Sequence, residues 1–388
     1  MILVYALEPM PTTMVKSIFL AGPTPRSQDV ESWRQKAIDI LESLDYDGHV
    51  FIPEPADGVW SKNYDGQVGW EEKALNQADL IVFWVPREMS SMPALTTNDE
   101  WGVWRNSGKV MFGAPKEAVK VRYQQHYAEK YKVQQFDFLP GLLRAAVTRL
   151  GPGRHRQGGE VKVPLYVWEQ PSFQSWYNYQ LYAGNVLRDA EVLWTFRVGP
   201  KLDKMFCWVL KVSVYITSED RVKQNEFVLG RPDISSVVLW HRAPTLAETK
   251  VILIKEFRSP ARTEDGFLRE APGGSAKLGT ITRDPMHLAL EELREETGFE
   301  IERERLKDHS MRQVFGTLSS VGAFVYSAEI TDEELKFFEA QAGQAHGVEE
   351  DSERTFTEIY KVGDLLTRPV TDWACLGMIF AALADAMR

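Results

Sequence analysis

From Ser17 onward the chain alternates two rhythms, short unbroken apolar runs and stretches whose apolar residues recur every three or four positions. Ser17–Ala21 reads as a strand stopped by Gly22-Pro23. Residues 30–44 read as a helix with Trp33, Ala37, Ile40, Leu41 and Leu44 on one side. Strands follow at 49–53, 80–85 and 109–113, with helices over 70–77 and from about Asp99 to a stop at Gly108. This alternation predicts an α/β domain over 15–150 with a Rossmann-like or flavodoxin-like parallel sheet. Ligands of such sheets sit beyond the carboxyl ends of the strands, which singles out Gly22, Pro23, Asp79 and Glu100. Residues 1–13 precede the first convincing strand and read as a dispensable extension.

Residues 151–163, opening on Gly151-Pro152-Gly153-Arg154, read as a solvated linker. The aromatic-rich stretch 164–200 predicts a packed subdomain or a dimer surface, and with it a homodimer. Strands at 207–215, 235–241, 251–257 and 323–328 and an amphipathic helix over 371–387 fill a second domain, 164–388. Within it Met286, Ala289, Leu290, Leu293 and Thr297 mark the packed side of a helix that Gly298 ends. On the same helix Glu292, Glu295 and Glu296 stand at i, i+3 and i+4 and share a face. Like charges so close destabilise a bare helix, which calls for a neutralising cation. Hard divalent ions such as Mg²⁺ or Mn²⁺ take oxygen ligands of this kind. The plain alternative is a solvated acidic helix.

At 388 residues the length favours two or three domains, and 44% hydrophobic with 26% charged residues is ordinary for a globular protein. A net charge of −10 argues against DNA and disfavours RNA, leaving nucleotides or nucleosides as small-molecule partners. No run of 18 apolar residues offers a membrane span, and residues 1–14 lack the basic start of a secretion signal. Cys207 and Cys375, far apart, fit buried thiols of a cytoplasmic protein.

Phe19-Leu20-Ala21-Gly22-Pro23, Ala78-Asp79-Leu80-Ile81-Val82 and Thr97-Asn98-Asp99-Glu100-Trp101-Gly102 resemble the nucleoside 2-deoxyribosyltransferase superfamily. The resemblance implies Glu100 as the nucleophile at the anomeric carbon, kept ionised by a helix start, with Asp79 as a second catalytic residue contacting substrate. It implies substrate contacts at Phe19, Gly22, Pro23 and Asn98. Ala94 stands where that family has a further Asp. Asn63, Tyr64, Asp65, Trp70 and Glu71 are candidates for the pocket wall.

The acidic helix resembles the tail of the Nudix hydrolase signature, with Glu292, Leu293, Glu295, Glu296, Gly298 and Phe299 matching. The head departs from it: Thr280 stands for the loop Glu, Glu291 for the Arg, and the longer spacing carries Arg283. Phe257-Arg258 and Glu270 resemble the ADP-ribose pyrophosphatase branch. The resemblance implies an α+β Nudix fold, a mixed sheet between helices. It also implies Mg²⁺ or Mn²⁺ on Glu292, Glu295, Glu296 and Glu270, and a phosphate clamp at Arg258. Gly273 and Gly274 would contact substrate, Glu296 would be catalytic, and Glu350 in the loop 345–353 would serve as general base. Together the two resemblances imply Mg²⁺-dependent cleavage of a nucleoside diphosphate linked to X, joined to cleavage or exchange of an N-glycosidic bond in nucleotide metabolism. The rivals are a nucleotide sensor without turnover and an RNA 5′-end pyrophosphohydrolase.

Overall fold

A strand buried on both faces needs a continuous apolar run, and Ser17–Ala21 and Leu80–Trp84 are buried at every position. In the computed structural model, which describes residues 1–27, 29–60, 64–275, 278, 284–347 and 354–386, these two strands sit side by side in the middle of a sheet. The chain forms two units, 1–229 and 230–388.

In chain order the first unit comprises β1 (Ile2–Tyr5), β2 (Thr13–Met14), β3 (Ser17–Ala21), α1 (Trp33–Ser43), β4 (His49–Ile52), α2 (Tyr64–Gln77), β5 (Leu80–Trp84), α3 (Leu95–Trp104) and β6 (Val110–Gly113). It continues through α4 (Arg122–Lys130), β7 (Gln135–Phe136), α5 (Leu139–Leu150), β8 (Arg156–Gln157), α6 (Leu165–Trp168), α7 (Pro171–Tyr182), β9 (Val186–Val198), β10 (Lys204–Ile216) and β11 (Arg221–Gly230). Six strands form a parallel sheet in the order β1-β4-β3-β5-β6-β7. Alternate residues feed two cores: Ile18, Leu20, Val82 and Trp84 pack with α1 and α5, while Phe19, Ile81 and Phe83 pack with α2 and α3. The parallel α/β expectation holds.

Three expectations for this unit are corrected. Residues 1–13 are no dispensable extension: β1 pairs with β4 at the sheet edge, Val4 is buried, and the Trp70 indole donates to the Glu8 carbonyl at 2.8 Å. Residues 151–163 are no solvated linker, because they carry Arg156, whose side chain is wholly buried. The aromatic stretch after 164 belongs to the first unit, not the second: Trp168, Phe173, Tyr177 and Trp208 share a core with Ile18 and Leu20. Aromatic side chains bury large areas wherever they pack, so their density marks a core without saying whose.

The second unit comprises β12 (Ile234–His241), β13 (Lys250–Phe257), β14 (Phe267–Glu270), β15 (Gly273–Ser275), α8 (Pro285–Thr297), β16 (Lys307–Gln313) and β17 (Gly322–Glu329). It ends with α9 (Asp332–Ala340), β18 (Ala345–His346), β19 (Thr355–Lys361), α10 (Val362–Thr367) and α11 (Trp373–Ala386). Its sheet runs β16-β17-β12-β13-β19-β18, with β12 and β17 parallel and the other neighbours antiparallel. Val237 and Leu239 face α8 and α9, and Val238 and Trp240 face α10 and α11, so this is a mixed sheet between helices. Gly298 ends α8 in the left-handed region at φ 68°, as a C′ glycine does. No helix among the described residues is long and apolar enough to cross a membrane.

Candidate functional site

The carboxyl ends of β3, β4 and β5 lie together, and a buried arginine organises the loops that leave them. Arg34, in the first turn of α1, is 1% exposed. It donates to the carbonyls of Leu20 at 3.0 Å and Gly22 at 2.7 Å, to the Thr24 hydroxyl at 3.1 Å and to Glu54 at 2.5 Å. Trp33 donates to the Pro23 carbonyl at 3.0 Å. A Cβ on Gly22 would come within 2.1 Å of the Trp84 carbonyl oxygen, so only glycine lets the loop pass. Gly22 and Pro23 thus shape the rim of the site through their backbone. The signal for Arg34 was in the sequence, a cation next to Trp33 on an otherwise amphipathic helix, but its partners are distant in the chain.

Five acidic residues line a cleft of about 590 Å³ along α2 and α3: Glu71 and Glu72 from α2, Asp99 and Glu100 from α3, and Glu191 from β9. Glu71 accepts a hydrogen bond from the Gln67 amide at 2.7 Å. Its pKa is raised by burial, against the pull of that amide and of Arg34. Glu100 has no hydrogen bond or ion pair among the described residues, and its pKa is pushed up to about 8. Burial is the main cause, and the charges of Glu71 and Asp99 add to it while Arg34 opposes. The expected place of Glu100 at a helix start is corrected. The helix begins at Leu95, which leaves Glu100 in the second turn, where the terminal dipole has faded and desolvation prevails.

Lys109 lines the far end of the cleft. Its ammonium donates to the carbonyls of Leu75, Asn76 and Ala78 at 2.7, 2.8 and 2.9 Å, closing the end of α2. Burial lowers its pKa to about 7.

Other expected site residues are engaged elsewhere. Phe19 is fully buried in the core under the sheet. Asp79 precedes β5, at the amino end of the sheet, and is wholly buried; its oxygens accept from Arg156 at 2.8 and 2.7 Å, from the Ser17 hydroxyl at 3.1 Å and from the Leu165 amide at 2.8 Å. A buried carboxylate with that many donors holds structure together. Asn98 accepts from Arg87 at 2.5 Å. Trp70 is core, Tyr64 and Asp65 are exposed, and Asn63 lies outside the described residues.

In the second unit the Gly-rich segment and α8 meet as expected. The Gly273 amide donates to Glu296 at 2.8 Å, and a Cβ on Gly274 would fall 2.3 Å from the Glu292 carboxyl. Both glycines also belong to β15, where a Cβ on Gly273 would strike the Ser235 carbonyl at 2.3 Å. The acidic trio is split: Glu296 is 1% exposed, Glu292 half-buried and Glu295 exposed. A cation does sit beside these acids, and it is Arg258. It donates to Glu270 at 2.9 Å and pairs with Glu256 at 2.7 Å. Burial works against its charge, but Glu270, Glu256 and Glu296 hold its pKa above the ordinary value. Among the described residues no three His, Cys, Asp or Glu side chains converge as a metal site. Thr280, Arg283 and Glu350 lie outside the described residues.

Residues 15–118 match the family model described as "Nucleoside 2-deoxyribosyltransferase like", so the N-terminal part of the chain carries a domain of that kind. No curated protein matches the chain.

Proposed function

We propose that the first unit cleaves the N-glycosidic bond of a nucleoside or nucleotide, with Glu100 and Glu71 as an acid–base pair. The observation that carries this reading is Glu100 itself, a carboxyl with its pKa pushed up to about 8 and no hydrogen-bond partner among the described residues, in a cleft that Glu71 also lines and within the family-matched segment. Functional sites are where such perturbed groups gather. Glycosidic cleavage develops cationic character on the sugar while the base leaves with the bonding electrons. Glu100 gives its proton to the departing nitrogen. Glu71, whose ionised form the Gln67 amide favours, faces the cation and takes the proton of the water that adds to it. If a second base adds in place of water, the same groups perform transfer. Incubating the protein with a panel of ribo- and deoxynucleosides and their monophosphates, then separating the products, tests this. Base release is expected, and Glu100→Gln should lower it at least a hundredfold with folding intact; an unchanged rate in that variant removes the assignment.

A second reading concerns residues 230–388. The contact of Gly273 with Glu296 and of Gly274 with Glu292 supports a Nudix-type loop and helix, hence Mg²⁺-dependent cleavage of an ADP-ribose-like pyrophosphate. Glu292, Glu295 and Glu296 would hold the ion, which would screen the pyrophosphate charge and activate a water. Titration with Mn²⁺ followed by its paramagnetic resonance decides: binding that Glu292→Gln and Glu296→Gln abolish supports this reading, and no binding to the wild type removes it.

A further inference from the structure

The second unit carries a groove of about 330 Å³ between β16, at the edge of its sheet, and α11. It lies on the face of the sheet away from α8, so the contact of Gly273 with Glu296 has no part in it. Ala323 and Val325 of β17 and Met378 of α11 give it an apolar lining. Trp373, in the first turn of α11, also lines it and is 87% exposed. A concave apolar site with a few polar groups is the usual form of a small-ligand pocket.

Two features separate this groove from an accident of packing. The first is Gly377, inside α11, where a glycine weakens a helix relative to alanine. No atom lies within 4 Å of the place a Cβ would take, so no neighbour demands glycine there. What the glycine does is keep the groove open, since Gly377 lines it. The second feature is charge. The chain carries a net −10, yet the titratable residues lining the groove are His309 and Arg312, with no carboxylate among the described residues. His309 Nε2 and the Ser327 hydroxyl are hydrogen-bonded at 2.7 Å. The Arg312 side chain has no hydrogen bond or ion pair among the described residues. The acids beside the groove in the chain are committed to backbone: Asp308 accepts from the Ser310 amide and Asp372 from the Cys375 amide, both at 2.7 Å.

We propose that the groove between β16 and α11 binds a small organic anion with an aromatic ring, the ring against Trp373 and the anionic group on Arg312. A guanidinium meets a carboxylate through two parallel hydrogen bonds, and an exposed indole offers a π face to a ring. The proposal depends on neither catalytic reading.

The test is a ligand-observed NMR titration of the full chain with 3-phenylpropionate, 3-phenylpropylamine and octanoate, compared among wild type, Arg312→Ala and Gly377→Leu. Wild type is expected to bind 3-phenylpropionate with a dissociation constant on the order of 1 mM or below. The amine and octanoate should bind about fivefold more weakly or worse, and Arg312→Ala should weaken 3-phenylpropionate by a similar factor. Arg312 is exposed, so its variant reads the charge without disturbing the core. Gly377→Leu places a side chain in the open groove and suits a helix better than glycine. It should remove binding while unfolding in urea no earlier than wild type. No binding to wild type, equal binding of the amine or of octanoate, or undiminished binding in Gly377→Leu overturns the proposal. A dimer that Gly377→Leu disrupts, with no binding of 3-phenylpropionate, makes a second copy of the chain the occupant and overturns it as well.

Discussion

A carboxyl that keeps its proton at neutral pH behaves as an acid, and Glu100 is such a group, at about 8. Its folded pKa lies above the unfolded value, so its penalty on stability is absent below about pH 4.5, grows between there and about 8, and is constant above. Glu100→Gln should therefore match the wild type at pH 4 and exceed it at pH 9 by on the order of 2–4 kcal/mol in urea unfolding. Equal curves at both pH values would mean that the carboxyl is not desolvated. At Asp79 the prediction has the opposite sign. Removing one partner of a buried pair strands the other charge, so Asp79→Asn should cost roughly 3–5 kcal/mol. A variant with native stability and only a weakened substrate affinity would restore Asp79 to the substrate site. The sequence showed Glu100 and Asp79 equally clearly, both as acids in family-like motifs. What separates them is Arg156, distant in the chain and placed in an apparent linker, and no local pattern reveals such a partner.

At the scale of elements, strands with unbroken apolar runs were legible because both of their faces are buried: β3, β5 and β13 stand where the pattern placed them. The misses have physical causes. Ile2–Tyr5 is apolar but lies at a sheet edge, where neither pattern nor length separates a strand from a tail. Arg221–Gly230 is exposed over most of its length, so it lacks the alternation that half-burial imposes. The position of β1 makes a prediction: deleting residues 1–13 removes the β1–β4 pairing, the burial of Val4 and the Trp70–Glu8 bond. The loss should be about 2–4 kcal/mol, read as a lower urea midpoint. An unchanged midpoint would return these residues to the status of an extension.

For the whole molecule, the cores of 1–229 and of 230–388 share no residue, and the first closes only when β9 and β10 are included. Expressed alone, 1–229 should unfold cooperatively, whereas 15–150 lacks β1, Arg156 and the Trp168–Phe173–Trp208 cluster and should bind dyes for exposed apolar surface. Cooperative folding of 15–150 would contradict the core assignment. The account as a whole stands on Glu100 as the proton donor of a glycosidic cleavage. Its most direct measurement is the rate of base release from a nucleoside across pH 5 to 10. A rate that falls above about 8 as Glu100 loses its proton, falls toward the acid end as Glu71 takes one up, and collapses in Glu100→Gln is the predicted result. A rate that rises through the same range would make Glu100 the ionised nucleophile instead, and the absence of base release from every nucleoside tried would contradict the account altogether.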